Sequence, residues 1–69
     1  MLNKLTEREV QVLNLLMLGH SNTQIGKILD ITLHTVKAHV QAILQKFNVK
    51  NRIQAAVIAT KSKEKYSNN

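Results

Sequence analysis

Apolar residues along this chain return at spacings of three and four in four successive stretches, each preceded by a residue type that caps helices. In Leu5-Thr6-Glu7-Arg8-Glu9-Val10, Thr6 can accept from the Glu9 amide while the Glu9 carboxylate reaches back to the Thr6 amide, and Leu5 and Val10 are placed as a hydrophobic staple. This predicts a first helix from Glu7 to about Leu18, ended by Gly19, with Val12, Leu13, Leu16 and Met17 inward and Val10 at the edge. Leu15 and Leu18 fall off that stripe and cover either a second contact or plain extra packing. Ser21 with Gln24 repeats the capping spacing and predicts a second helix over 22–29, with Ile25, Ile28 and Leu29 inward. After the turn Asp30-Ile31-Thr32, Thr32 can cap a third helix from Leu33 to about Phe47, closed by Asn48 in a left-handed conformation.

The third helix has two faces. Val36, Val40, Ile43, Leu44 and Phe47 form a continuous apolar stripe, and His34, Lys37, Ala38 and Gln41 recur at the same spacing on the opposite side. Asn51 with Gln54 opens a fourth helix from Arg52 to about Lys61, in which Ile53, Ala56, Val57 and Thr60 are expected to face the core. That leaves Ala55, Ile58, Ala59 and Ser62 as a small-residue stripe suited to self-association. The expected organisation is all-α: a lead-in over 1–4, one domain over 5–61, and a basic, frayed tail over 62–69.

With 69 residues there is room for one domain, and a chain of this size buries only about 60% of its unfolded surface, which argues against a deep catalytic pocket. Phe47 and Tyr66 are the only aromatics, so the core is built from Leu, Ile and Val. The absence of Cys excludes disulfides and thiolate metal sites. No apolar run is long enough to span a membrane and the first residues lack the apolar segment of a secretory signal, so a cytoplasmic protein without a membrane partner is expected. Charge is uneven: residues 1–45 hold four basic and three acidic groups, net +1, whereas 46–69 hold six basic and one acidic, net +5. A basic end suits a polyanion partner, although a solvated tail accounts for Lys61, Lys63 and Lys65 equally well.

A helix, a tight turn and a second helix with one apolar and one small polar face is the layout that reads a DNA major groove. The blocks Leu5-Thr6-x-Arg8-Glu9-x-x-Val12-Leu13, Gly19-x-Ser21-Asn22-x-x-Ile25, Leu29-x-Ile31-x-x-x-Thr35-Val36-Lys37-x-His39 and Lys46-x-x-Val49-x-x-Arg52-x-x-Ala55 agree in order and spacing with one family. In these blocks the chain resembles the LuxR-type (GerE-type) DNA-binding domain over about residues 5 to 60. Gly26 stands where that family usually has Ala, Thr32 where Ser is common and Phe47 where Leu is usual. The resemblance implies a four-helix LuxR/GerE-like helix-turn-helix domain without a wing, its first three helices forming the core, the third lying in the major groove and the fourth supplying a dimer contact.

Residue by residue, the resemblance gives Lys37, Ala38 and Gln41 base-reading positions, with His34 one turn earlier on the same face. Lys37 can donate to guanine O6 and N7, Gln41 can pair with adenine N6 and N7, and Ala38 can touch a thymine methyl. Asn22, Thr23, Thr32 and Thr35 lie at or near helix starts, where amides and hydroxyls grip phosphate, and Lys46 and Lys50 can add charge. The residue matching His39 lies beside both the DNA backbone and the helix packing in the family. His39 is about 140° round the helix from His34 and His20 belongs to another loop, so no metal site is expected. No cofactor is expected either. Glu9 is explained by capping, Arg8 and Arg52 match structural positions, and no nucleophile, base and oxyanion set is assembled, so the chain does not read as an enzyme.

Two functional classes follow. The first is a sequence-specific transcription regulator binding double-stranded DNA as a homodimer on paired half-sites, with RNA polymerase as a further partner. The second is a region-4-like sigma-factor fragment or adaptor contacting RNA polymerase, which shares the Leu-Thr-x-Arg-Glu start and the Thr-Val-Lys turn. Val36-Lys37-x-His39, Ile43-x-x-Lys46-Phe47 and Arg52-x-x-Ala55 follow the LuxR pattern instead. Both a complete small regulator and the C-terminal portion of a longer one are open, the untagged tail favouring the first.

Overall fold

The capping residues place the helices as expected. In the computed structural model, which describes residues 5–61, α1 runs Glu7–Met17, α2 Asn22–Leu29, α3 Leu33–Phe47 and α4 Arg52–Lys61, with no strand among the described residues. Thr6 Oγ1 accepts from the Glu9 amide at 3.1 Å and Glu9 Oε1 accepts from the Thr6 amide at 2.9 Å. The reciprocal pair between Ser21 and Gln24 repeats this at α2, and Thr32 Oγ1 accepts from the Thr35 amide at 3.1 Å to start α3. Such caps satisfy amides that a helix start leaves without partners, each contributing about 1 kcal/mol. At α4 the capping is shared differently. Asn51 Oδ1 accepts from the Gln54 amide at 2.9 Å, but the Gln54 side chain accepts from the Lys50 amide, one residue earlier than a capping box would have it.

Helix ends follow the same logic. Asp30 and Asn48 take the left-handed conformation at the ends of α2 and α3, a conformation that short polar side chains tolerate, and Gly19 takes φ 93° after α1. Gly26 explains the tightness of the turn before α3. A Cβ there would stand 2.9 Å from the Ile31 carbonyl oxygen and 3.5 Å from Val36 Cγ2, so the missing side chain lets the turn close onto α2.

α1 packs against α3, α4 and α2, and α3 packs against α2 and α4. The core they enclose consists of Leu5, Val12, Leu13, Leu16, Ile25, Val36, Val40, Ile43, Phe47, Ala55 and Ala59. Val10, Leu15, Met17, Leu29 and Leu44 pack on it from the edge, while Leu18 stands 74% exposed.

Two predicted faces are corrected. Ile28 is 52% exposed rather than inward, because Ile25 and Gly26 occupy the buried side of this short helix. In α4 the predicted inward stripe holds only at Ala56, which packs against the core. Ala55 and Ala59 have no exposed surface, whereas Ile53 and Val57 are 73% and 49% exposed and Thr60 is on the surface. The cause is close approach: α4 lies against both α1 and α3, and methyl side chains let its axis come near where Ile or Val would hold it off. Ala55 and Ala59 therefore cannot belong to a dimer interface of the folded domain. Ile58 is half-buried against the core and Ser62 lies outside the described residues.

Candidate nucleic-acid interface

α3 is anchored along one side and bare along the other. Val36, Val40, Ile43 and Phe47 are buried, which fixes the rotation of the helix, and His34, Lys37, Ala38 and Gln41 all emerge exposed on the opposite side. From His34 to Gln41 the rise is about 10 Å, comparable to three base steps, and a helix is of a diameter that the major groove of B-DNA admits. The four side chains together offer an imidazole, an ammonium, a methyl and a carboxamide, so the face carries donors, an acceptor and an apolar contact. Leu33 was not singled out from the sequence. It is 43% exposed and leads Lys37 and Gln41 by four and eight positions, so it adds an apolar group at the front of the same face. The signal was available in that spacing, but Leu33 reads more naturally as core.

The groups expected to hold phosphate divide in two. Thr23, Thr32 and Lys50 are exposed, and Thr35 is half-buried with its hydroxyl 2.9 Å from that of Thr32. Thr23 and the Thr32–Thr35 pair mark the starts of α2 and α3, where free amides and the helix dipole favour an anion. Asn22, the first residue of α2, is half-buried and its Oδ1 accepts from Arg52 Nη1 at 2.6 Å, while Arg52 Nη2 donates to the His20 carbonyl at 2.7 Å. Arg52 is thus structural, as its position implied, and the hydrogen bonds identify its partners. Arg8 is exposed and shows no hydrogen bond among the described residues.

Lys46 is placed differently from the expectation. Its Nζ donates to Glu9 Oε1 at 2.7 Å, joining the end of α3 to the capped start of α1, so its charge is matched inside the protein. Burial pushes the Glu9 carboxyl up, but the Lys46 hydrogen bond, the Thr6 amide and the nearby charges of Lys46 and His39 outweigh it and hold the carboxyl below its usual value. His39 is half-buried beside this network. No three His, Cys, Asp or Glu among the described residues lie close enough to hold a metal ion, and no helix there is long and apolar enough to cross a membrane.

The profile of the bacterial regulatory proteins of the luxR family, GerE, matches residues 3–59. The chain is 51% identical over 59 residues to a glycerol metabolism activator of Pseudomonas putida, covering 86% of this chain and 27% of that protein. It is 51% identical over 61 residues to the transcriptional regulatory protein DegU of Brevibacillus brevis, covering 88% and 26% respectively. It is 46% identical over 54 residues to the nitrate/nitrite response regulator NarP of Escherichia coli K12, covering 78% and 25%. The chain thus spans about a quarter of the length of these relatives. An exposed helix face opposite a buried one, set by a tight turn, is the layout of a helix-turn-helix, and the match over residues 3–59 shows that the chain belongs to the luxR family of bacterial regulatory proteins as a DNA-binding helix-turn-helix domain.

Proposed function

We propose that the domain reads a specific DNA sequence by laying α3 in the major groove and regulates transcription from paired half-sites bound as a homodimer. The observation that carries this reading is the exposure of His34, Lys37, Ala38 and Gln41 on the side of α3 opposite its buried stripe. Lys37 donates to guanine, Gln41 pairs with adenine, and Ala38 with Leu33 touches thymine methyls. His34 reaches a base or phosphate at the front of the helix. Asn22, Thr23, Thr32, Thr35, His39 and Lys50 hold the backbone on either side and set the register. Lys46 is left out of this set because Glu9 already matches its charge.

The dimer uses the exposed face of α4. Ile53 and Val57 stand out from it, next to a groove lined by Val49, Lys50, Gln54 and Ile58. This face is small beside the roughly 800 Å² per partner of a stable interface, so pairing occurs on DNA. RNA polymerase is a further partner of such a bound regulator.

The test is a pair of substitutions read against a panel of duplexes. Gln41→Ala relaxes preference at one base pair, removing about 1–3 kcal/mol of discrimination, whereas Lys50→Ala weakens every sequence alike and lowers the salt slope by about 0.9. Equal, sequence-blind losses from both overturn the reading.

A further inference from the structure

The polar link between the first residue of α4 and the first residue of α2 assigns Arg52 a part in DNA binding, and this rests on the backbone contacts proposed above. α4 packs on α1 and α3, and its contact with α2 is the slightest of the helix pairs. Arg52 crosses that gap, donating from Nη1 to Asn22 Oδ1 at 2.6 Å and from Nη2 to the His20 carbonyl at 2.7 Å. A guanidinium has five donors and no acceptor. The Asn22 carboxamide must therefore turn its oxygen toward Arg52, which leaves Nδ2 as its outward group. Among the described residues Nδ2 has no hydrogen-bond partner. An amide held this way offers two N–H donors at the start of α2, where the backbone amides of that helix also favour an anion. The opposite flip would offer an acceptor oxygen to a phosphate and repel it.

We propose that Arg52 is a positioning residue for DNA: it fixes the flip of the Asn22 carboxamide and the approach of the His20 carbonyl, so that Asn22 Nδ2 donates to a phosphate. The guanidinium itself does not touch the DNA.

The experiment is a double-mutant cycle in DNA affinity with Arg52→Met, Arg52→Lys and Asn22→Ala in the full chain, using a selected duplex at several salt concentrations, below each variant's melting transition. Arg52→Met is expected to weaken binding about tenfold and Arg52→Lys, which keeps a donor, about threefold. In the Asn22→Ala background both effects fall below twofold, because the group being oriented is gone. The slope of log affinity against log salt stays that of the wild type, since Asn22 is neutral; an arginine that met phosphate directly would lower it by about 0.9. A slope loss of that size, or full-sized Arg52 effects without Asn22, overturns the proposal. So does unchanged affinity in every variant. If Arg52→Met does not fold, Arg52→Lys and Asn22→Ala complete the cycle. Failure here with sequence preference intact leaves the proposed function standing, whereas a wild type without sequence preference removes that function first.

Discussion

Replacing Lys46 by Met separates a structural lysine from a DNA-contacting one. Lys46 Nζ lies 2.7 Å from Glu9 Oε1, with the Glu9 side chain only 7% exposed and that of Lys46 25% exposed. A hydrogen bond to a charged group contributes about 1.5–3 kcal/mol, and partial exposure of the lysine puts this one near the lower half, at about 2 kcal/mol. For a domain of this size that is roughly 8–16 °C in melting temperature. Methionine keeps the aliphatic stem, so packing along α3 is preserved and the loss reports the charge. The pH dependence fixes the cause. The Glu9 carboxyl is held below its usual value, so its stabilisation is complete above the unfolded carboxylate pKa of about 4.3 and is lost as pH falls through the lower folded value. The gap between wild type and Lys46→Met, followed by circular dichroism on heating, is therefore full at pH 7 and narrows below about pH 4. The salt slope of DNA binding remains unchanged. A melting temperature equal to the wild type's at pH 7, or a slope reduced by about 0.9, refutes the pairing and returns Lys46 to the phosphate set.

Gly26→Val forces a branched side chain toward the Ile31 carbonyl and Val36, and is expected to cost about 1–3 kcal/mol in urea unfolding; an unchanged midpoint means that the turn before α3 is not held by that close approach. Val57→Asp places a charge on the exposed face of α4, so the melting temperature should stay near the wild type's while cooperative binding to a duplex with two half-sites is lost and binding to one half-site is kept. Retained cooperativity would show that the α4 face does not pair the protomers.

What the sequence made legible was local. Thr6 with Glu9 and Ser21 with Gln24 lie three positions apart, so capping alone set the starts of α1 and α2, and Asn48 marked the end of α3 through its tolerance of a left-handed backbone. The two faces of α3 were equally plain, because its large apolar residues keep strict helical spacing and its exposed residues do not compete with them. α4 defeated the same rule. Ile53 and Val57 point outward while Ala55 and Ala59 are fully buried and Ile58 packs at the edge of the core, since at the centre of the contact the helix is held by closeness of approach rather than by bulk. Glu9 with Lys46 and Asn22 with Arg52 were out of reach for another reason. Their partners lie 37 and 30 positions apart, and capping already explained Glu9 while an exposed helix start already explained Asn22. Only the packing of α3 and α4 against the earlier helices brings these groups within bonding distance.

The most direct measurement is selection of bound duplexes from a random 20-base-pair pool at two salt concentrations, repeated with Gln41→Ala. The expected result is an enriched motif with paired half-sites at both salt concentrations, and a loss of preference at one position of each half-site in the variant. Tight binding only at low salt, with no motif in either protein, would contradict sequence reading by α3.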